Sequence, residues 1–125
     1  MTDEARRILV VDDEHPLADT LAAILERAGY KSTAAYSPSE ALAALSESRP
    51  DLIISDVMMP LMNGVELAIR ADQLHPGIKV LLISGHAATQ EIMDEARLDG
   101  LSIELMAKPV HPDELMSKVA ELLDR

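Results

Sequence analysis

The sequence predicts an α/β fold, a five-stranded parallel sheet with helices on both faces. Two observations carry this. Short runs rich in Val, Ile and Leu alternate with amphipathic stretches from one end of the chain to the other, giving βαβαβαβαβα. The main runs are also continuously apolar, as strands buried on both faces must be. Strict alternation of this kind implies right-handed crossovers and helices on both sides of the sheet.

The first strand is "ILVV" (8–11). In the following "PLADTLAAILERAG" (16–29), Leu17, Leu21, Ile24, Leu25 and Ala28 keep helical spacing and Gly29 is the stop. "KSTAA" (31–35) is a weaker strand of small residues. "SPSEALAALSES" (37–48) opens on a Ser-Pro start signal and turns Leu42 and Leu45 inward. "LII" (52–54) is the third strand, and the helix "GVELAIRADQLHPG" (64–77) ends at His75-Pro76-Gly77. "VLLI" (80–83) precedes a helix over 88–100 that carries Ile92 and Ala96 and stops at Gly100. "LSIELMA" (101–107) alternates as an edge strand does, and 111–123 places Leu115, Val119 and Leu122 or Leu123 on one helical face.

The 125 residues suit one domain spanning 1–125, and no repeat or linker divides them. Tyr30 and Tyr36 are the only aromatics, so the core is built from aliphatic residues and Met, and no aromatic platform exists for stacking bases. A net charge of −11 repels a phosphate backbone, so direct nucleic-acid binding is not expected. With no Cys there is no disulfide, thiolate metal site or cysteine nucleophile, and the four histidines lack zinc-ligand spacing. No apolar run reaches membrane-spanning length and "MTDEARR" is not a signal peptide, so a cytoplasmic protein without a membrane partner is expected.

The carboxyl ends of the strands isolate a small polar set, and ligands of such sheets bind at that edge. The first strand ends in Asp12-Asp13-Glu14, the third in Asp56, the fourth in Ser84 and the fifth in Lys108-Pro109. Two carboxylates about 4 Å apart repel by roughly 4 kcal/mol at an effective dielectric of about 20, so three together call for a cation, a raised pKa or both. Lys108 offsets one charge, and an all-oxygen donor set suits Mg²⁺. Asp13 and Asp56 would bind it directly, Asp12 through a water, and the Met58 backbone carbonyl would complete the set. Asp56 is then placed to attack a phosphoryl group in line, with Lys108 and the Ser84 hydroxyl on its remaining oxygens.

Each residue taken singly has an ordinary reading. Asp12 or Asp13 would cap the next helix, Asp56 would make an Asx turn, Ser84 is common loop chemistry, and Lys108 is a solvated strand end. Co-location at four strand ends separates the two accounts.

In these motifs the sequence resembles the receiver domain of bacterial two-component response regulators. "ILVVDDE" (8–14), "DLIISDVMMPLMNG" (51–64), "VLLISGHA" (80–87) and "LMAKP" (105–109) stand in the family's order and spacing, over essentially the whole chain. The resemblance implies a flavodoxin-like, doubly wound (βα)5 fold with strand order 2-1-3-4-5. It implies phosphorylation of Asp56 by a sensor histidine kinase or phosphotransfer protein. Mg²⁺ would be held by Asp12, Asp13, Asp56 and the Met58 carbonyl, with Ser84 and Lys108 on the phosphoryl group and a cis peptide at Lys108-Pro109. Such a domain is a phosphoacceptor that assists its own phosphorylation and dephosphorylation, not an enzyme acting on other substrates.

The sequence departs from the family at three positions. Leu105 stands where the family usually has the Tyr or Phe that swings inward on activation. Met58 and His86 occupy two positions that influence how water reaches the acyl phosphate. The family docks its kinase near 16–21 and 110–112. Its usual output surface covers roughly 89–123, where Leu98, Leu101 and Leu105 read equally well as contact patch or core. No output domain is expected after the last helix, so the chain is a stand-alone or excised receiver that docks an unknown downstream protein, with phosphorylation-dependent dimerisation as one form of output. Two rivals stay open. A haloacid-dehalogenase-like phosphatase also uses Asp, Mg²⁺, Ser/Thr and Lys, but has a second Asp two residues after its nucleophile, where Asp12 is followed by Glu14. The other is a pseudo-receiver that is never phosphorylated.

Overall fold

The structure, a computed structural model, describes residues 5–85, 94, 100 and 102–124. Five strands, β1 (Arg7–Val11), β2 (Lys31–Ala35), β3 (Leu52–Asp56), β4 (Lys79–Ser84) and β5 (Ile103–Ala107), form one sheet in the order β2-β1-β3-β4-β5. Every neighbouring pair is parallel. The helices among the described residues are α1 (His15–Arg27), α2 (Pro38–Glu47), α3 (Gly64–Leu74) and α4 (Pro112–Leu123). The helix predicted over 88–100 lies outside the described residues, apart from Asp94 and Gly100. The sheet order is the one the resemblance implies.

Successive strand residues point to opposite faces, and both faces are covered. On one, Ile8, Val10, Leu52, Ile54, Leu81 and Ile83 pack with Ala18, Leu21 and Leu25 of α1 and Leu115, Val119, Leu122 and Leu123 of α4. On the other, Leu9, Val11, Ile53, Val80 and Leu82 meet Ala41 and Leu45 of α2 and Leu67, Ala68 and Ala71 of α3. Here lies the reason for the uninterrupted apolar runs, since a polar residue at any of these positions would face one helical layer or the other. Each fully buried aliphatic side chain contributes about 1.5–3 kcal/mol, which lets the core dispense with large aromatics.

Capping sets where two helices begin. Ser37 accepts a hydrogen bond from the Glu40 N–H at 3.1 Å with Pro38 in the first turn of α2, as the Ser-Pro signal predicts. Asn63 does the same for α3, accepting from the Glu66 N–H at 2.8 Å. Local differences fall at element ends. Ala28 is exposed at the C-cap of α1, because the helix stops there and Gly29 turns the chain with φ 99°. β5 starts at Ile103, after an exposed Ser102.

From β1 the chain crosses to β2 on one side and then to β3 on the other. The connections leaving β1 and β3 therefore diverge, opening a crevice above their carboxyl ends, where Asp12 and Asp56 stand.

Candidate functional site

Asp56 is the last residue of β3 and is only 6% exposed. Its Oδ1 accepts the Met58 N–H at 3.2 Å, and its Oδ2 lies 3.0 Å from the Lys108 Nζ. The turn aims the carboxylate that the lysine holds. Lys108 sits just beyond β5. Its N–H donates to the Ser84 carbonyl at 3.0 Å, which ties it to the end of β4, and the Lys108–Pro109 peptide is cis. Burial pulls the Lys108 pKa down, but the hydrogen bond and charge of Asp56, with Asp12 and Glu14 behind, outweigh it and leave it raised.

Asp12 follows β1 and is 3% exposed, whereas its neighbour Asp13 is exposed. Its N–H donates to the Ala35 carbonyl at 3.1 Å, and its Oδ1 accepts the Glu14 N–H at 2.9 Å. Neither acid caps α1 by its side chain. The N-cap is Glu14, which makes no side-chain cap bond, and Asp12 holds the residue leading into the helix. Burial raises the Asp12 pKa to about 6; the Glu14 N–H opposes this, and the nearby Asp56 charge adds to it.

Asp12, Asp13 and Asp56 each offer a carboxylate oxygen within 4.8 Å of the others. The cluster can hold a metal ion, and its donors are hard oxygens with no sulfur or imidazole among them. The raised Asp12 pKa comes chiefly from burial, and the Asp56 charge adds to it.

The remaining candidates occupy the rim and the sheet. Ser84 is buried at the end of β4, paired in register with Ala107. Met58 is 54% exposed on the loop leaving Asp56. Leu105 is half-buried on β5 beside Leu82 and packs on the core cluster shared with α2 and α3. His86, Leu98 and Leu101 lie outside the described residues.

In the sequence Gly64 stands only as the last residue of the 51–64 motif and the first of the 64–77 helix. A Cβ on it would lie 2.5 Å from the Asp56 carbonyl oxygen, so only glycine fits beneath the site residue. A second feature missed is a polar cluster at the same edge of the sheet. The Tyr36 ring stacks on His15 with centroids 4.0 Å apart, and its hydroxyl donates to Asp19. That hydrogen bond raises the Tyr36 pKa. Two residues that follow different strands carry no sequence signal of meeting.

A family model for the response regulator receiver domain matches residues 8–120. The DNA-binding response regulator MtrA of Mycolicibacterium smegmatis is 34% identical over 96% of this chain and 51% of its own length. The response regulator receiver protein CpdR of Brucella abortus is 33% identical over 94% of this chain and 97% of its own length. This chain spans about half the length of MtrA and of the phosphate regulon regulator PhoB of Pseudomonas aeruginosa. Among solved structures, the CheY-like receiver domain protein of Methanospirillum hungatei superposes with a TM-score of 0.86 at 34% identity, covering 97% of this chain and 95% of that one. With the sheet order, the strand-end acids and the lysine in place, the chain belongs to the response regulator receiver domain family of two-component signalling.

Proposed function

We propose that this chain accepts a phosphoryl group on Asp56 from a sensor histidine kinase or a phosphotransfer protein, and that the change is read by a downstream protein. One observation carries the reading: a nearly buried carboxylate, held by Lys108 at 3.0 Å, shares its crevice with two further acids. A turn acid has no use for such company. An Asp56 oxygen forms a bond to phosphorus as the bond from phosphorus to the donor's imidazole nitrogen breaks, and the electron pair leaves with that nitrogen. Lys108, 3.0 Å from Asp56, can follow the charge onto the phosphoryl oxygens as the bond forms. The Ser84 hydroxyl takes another of these oxygens. Mg²⁺, held by Asp12, Asp13, Asp56 and the Met58 carbonyl, would supply the remaining neutralisation.

The reading takes the chain as one receiver unit working in the cytoplasm, where such kinases present their phosphohistidine. Leu105 responds to a moved Ser84 by changing rotamer among aliphatic neighbours, in place of a swinging aromatic ring.

Incubation with acetyl phosphate and Mg²⁺ should add one phosphoryl group to the intact mass. Asp56→Asn should remain unmodified. Equal modification of both proteins, or of neither, would refute the assignment.

Met58 supplies a further expectation. Met58 lies two residues beyond Asp56 with its side chain 54% exposed, and in this reading it screens the acyl phosphate from water, so Met58→Asn should shorten the lifetime of the acyl phosphate several-fold. Autodephosphorylation followed by mass spectrometry checks this, and an equal or longer lifetime in the variant would contradict it.

A further inference from the structure

The loop between β3 and α3 is closed at its base by the Gly64 N–H donating to the Val57 carbonyl at 2.8 Å. Within it, Met59 and Met62 pack down on the core. Between them the Met62 N–H donates to the Pro60 carbonyl at 2.8 Å, and Leu61 has φ 72°. A bond from residue i+2 back to residue i around a positive central φ is a γ-turn of the rare, strained kind. A leucine there carries a steric penalty that glycine would avoid. Nothing in the fold compensates for it, because the Leu61 side chain is fully exposed, at 105%.

Single exposed apolar residues are ordinary, but this one is doubly placed. It is the tip of a strained turn, and it shares a short tethered loop with the half-exposed Met58 and the exposed Pro60. That loop is the rim of the Asp56 crevice. Asp56 is 6% exposed, so a protein that brings a phosphohistidine to bonding distance must lie over this rim.

We infer that Leu61 is an apolar anchor, presented by the strained turn, that inserts into an apolar depression beside the phosphohistidine of the protein phosphodonor. The inference rests on the phosphoacceptor reading of Asp56 and adds the contact by which the donor is held.

The test compares two phosphodonors on wild type, Leu61→Gly and Leu61→Asp. One is acetyl phosphate. The other is an autophosphorylated sensor histidine kinase, chosen as the one that labels the wild-type chain fastest. Loss of an anchor of this size should lower kcat/KM for transfer from the kinase about tenfold in both variants. Labelling by acetyl phosphate should be unchanged, and the thermal midpoint of Leu61→Gly should equal or exceed that of wild type. Unchanged kinase transfer would overturn the inference, as would a parallel fall with both donors, which would place Leu61 in the chemistry. A Leu61-dependent dimer with normal kinase transfer would assign the tip to self-association instead. Failure of wild type to accept from either donor would overturn the phosphoacceptor reading itself.

Discussion

Gly64→Ala is expected to destabilise the protein by about 2–3 kcal/mol and to slow phosphorylation of Asp56 severely. The added Cβ would meet the Asp56 carbonyl oxygen at 2.5 Å, the Val57 Cα at 3.1 Å and Leu82 Cδ2 at 3.0 Å. Leu82 can turn aside, but the other two atoms are backbone at the end of a central strand. Relief has to come from lifting the start of α3. That breaks the Gly64 N–H bond to the Val57 carbonyl and shifts the turn in which the Met58 N–H steadies the Asp56 carboxylate. Gly77→Ala is the control. Gly77 has φ 83° and no atom within 4 Å of a built Cβ, so it should lose about 1 kcal/mol from backbone strain alone and keep its labelling rate. Urea midpoints and acetyl phosphate labelling measure both effects. Equal behaviour of the two variants would show that the close approach under Asp56 does not matter.

The second large effect concerns Asp12. In the folded state its pKa rises from 3.8 to about 6, chiefly through burial. The folded protein therefore holds this proton more tightly than the unfolded chain does. As pH rises from about 4 to above 6, the unfolded state releases the proton first, and this group's contribution to stability falls and then levels off. Without metal, the protein should be less stable at pH 7.5 than at pH 5 by an Asp12-dependent margin. Asp12→Asn should remove that margin and raise metal-free stability at pH 7.5 by on the order of 1 kcal/mol, or several degrees in Tm. Added Mg²⁺ should restore the loss in wild type by mass action and do much less for the variant. Thermal melts at the two pH values, with Mg²⁺ and with a chelator, check all of this. A variant less stable than wild type without metal at pH 7.5 would contradict the account.

Much of the architecture could be read from "ILVV", "LII" and "VLLI", because burial on two faces leaves a signature that depends on the strand alone. The site candidates were legible for a related reason. In a parallel sheet, position along the strand decides which end a residue occupies, so the polar residue closing each apolar run falls at one edge. What escaped depends on contacts between elements. Nothing local distinguishes Asp12, which is buried, from Asp13, which is exposed; the difference lies in how β1 turns into α1. Gly64 reads as an ordinary loop glycine until the Asp56 carbonyl is seen beside it. Leu61 reads as an apolar loop residue until its φ and full exposure are known.

The stacked pair at the sheet edge has an optical consequence. With no Trp, the ultraviolet emission of this protein belongs to Tyr30 and Tyr36 alone. A phenol that donates to a carboxylate loses its excited-state proton readily, so Tyr36, bonded to Asp19, is expected to emit less than Tyr30, which packs on the core. Parting Tyr36 from Asp19 should then raise the emission, a native reporter of events at that edge without a dye.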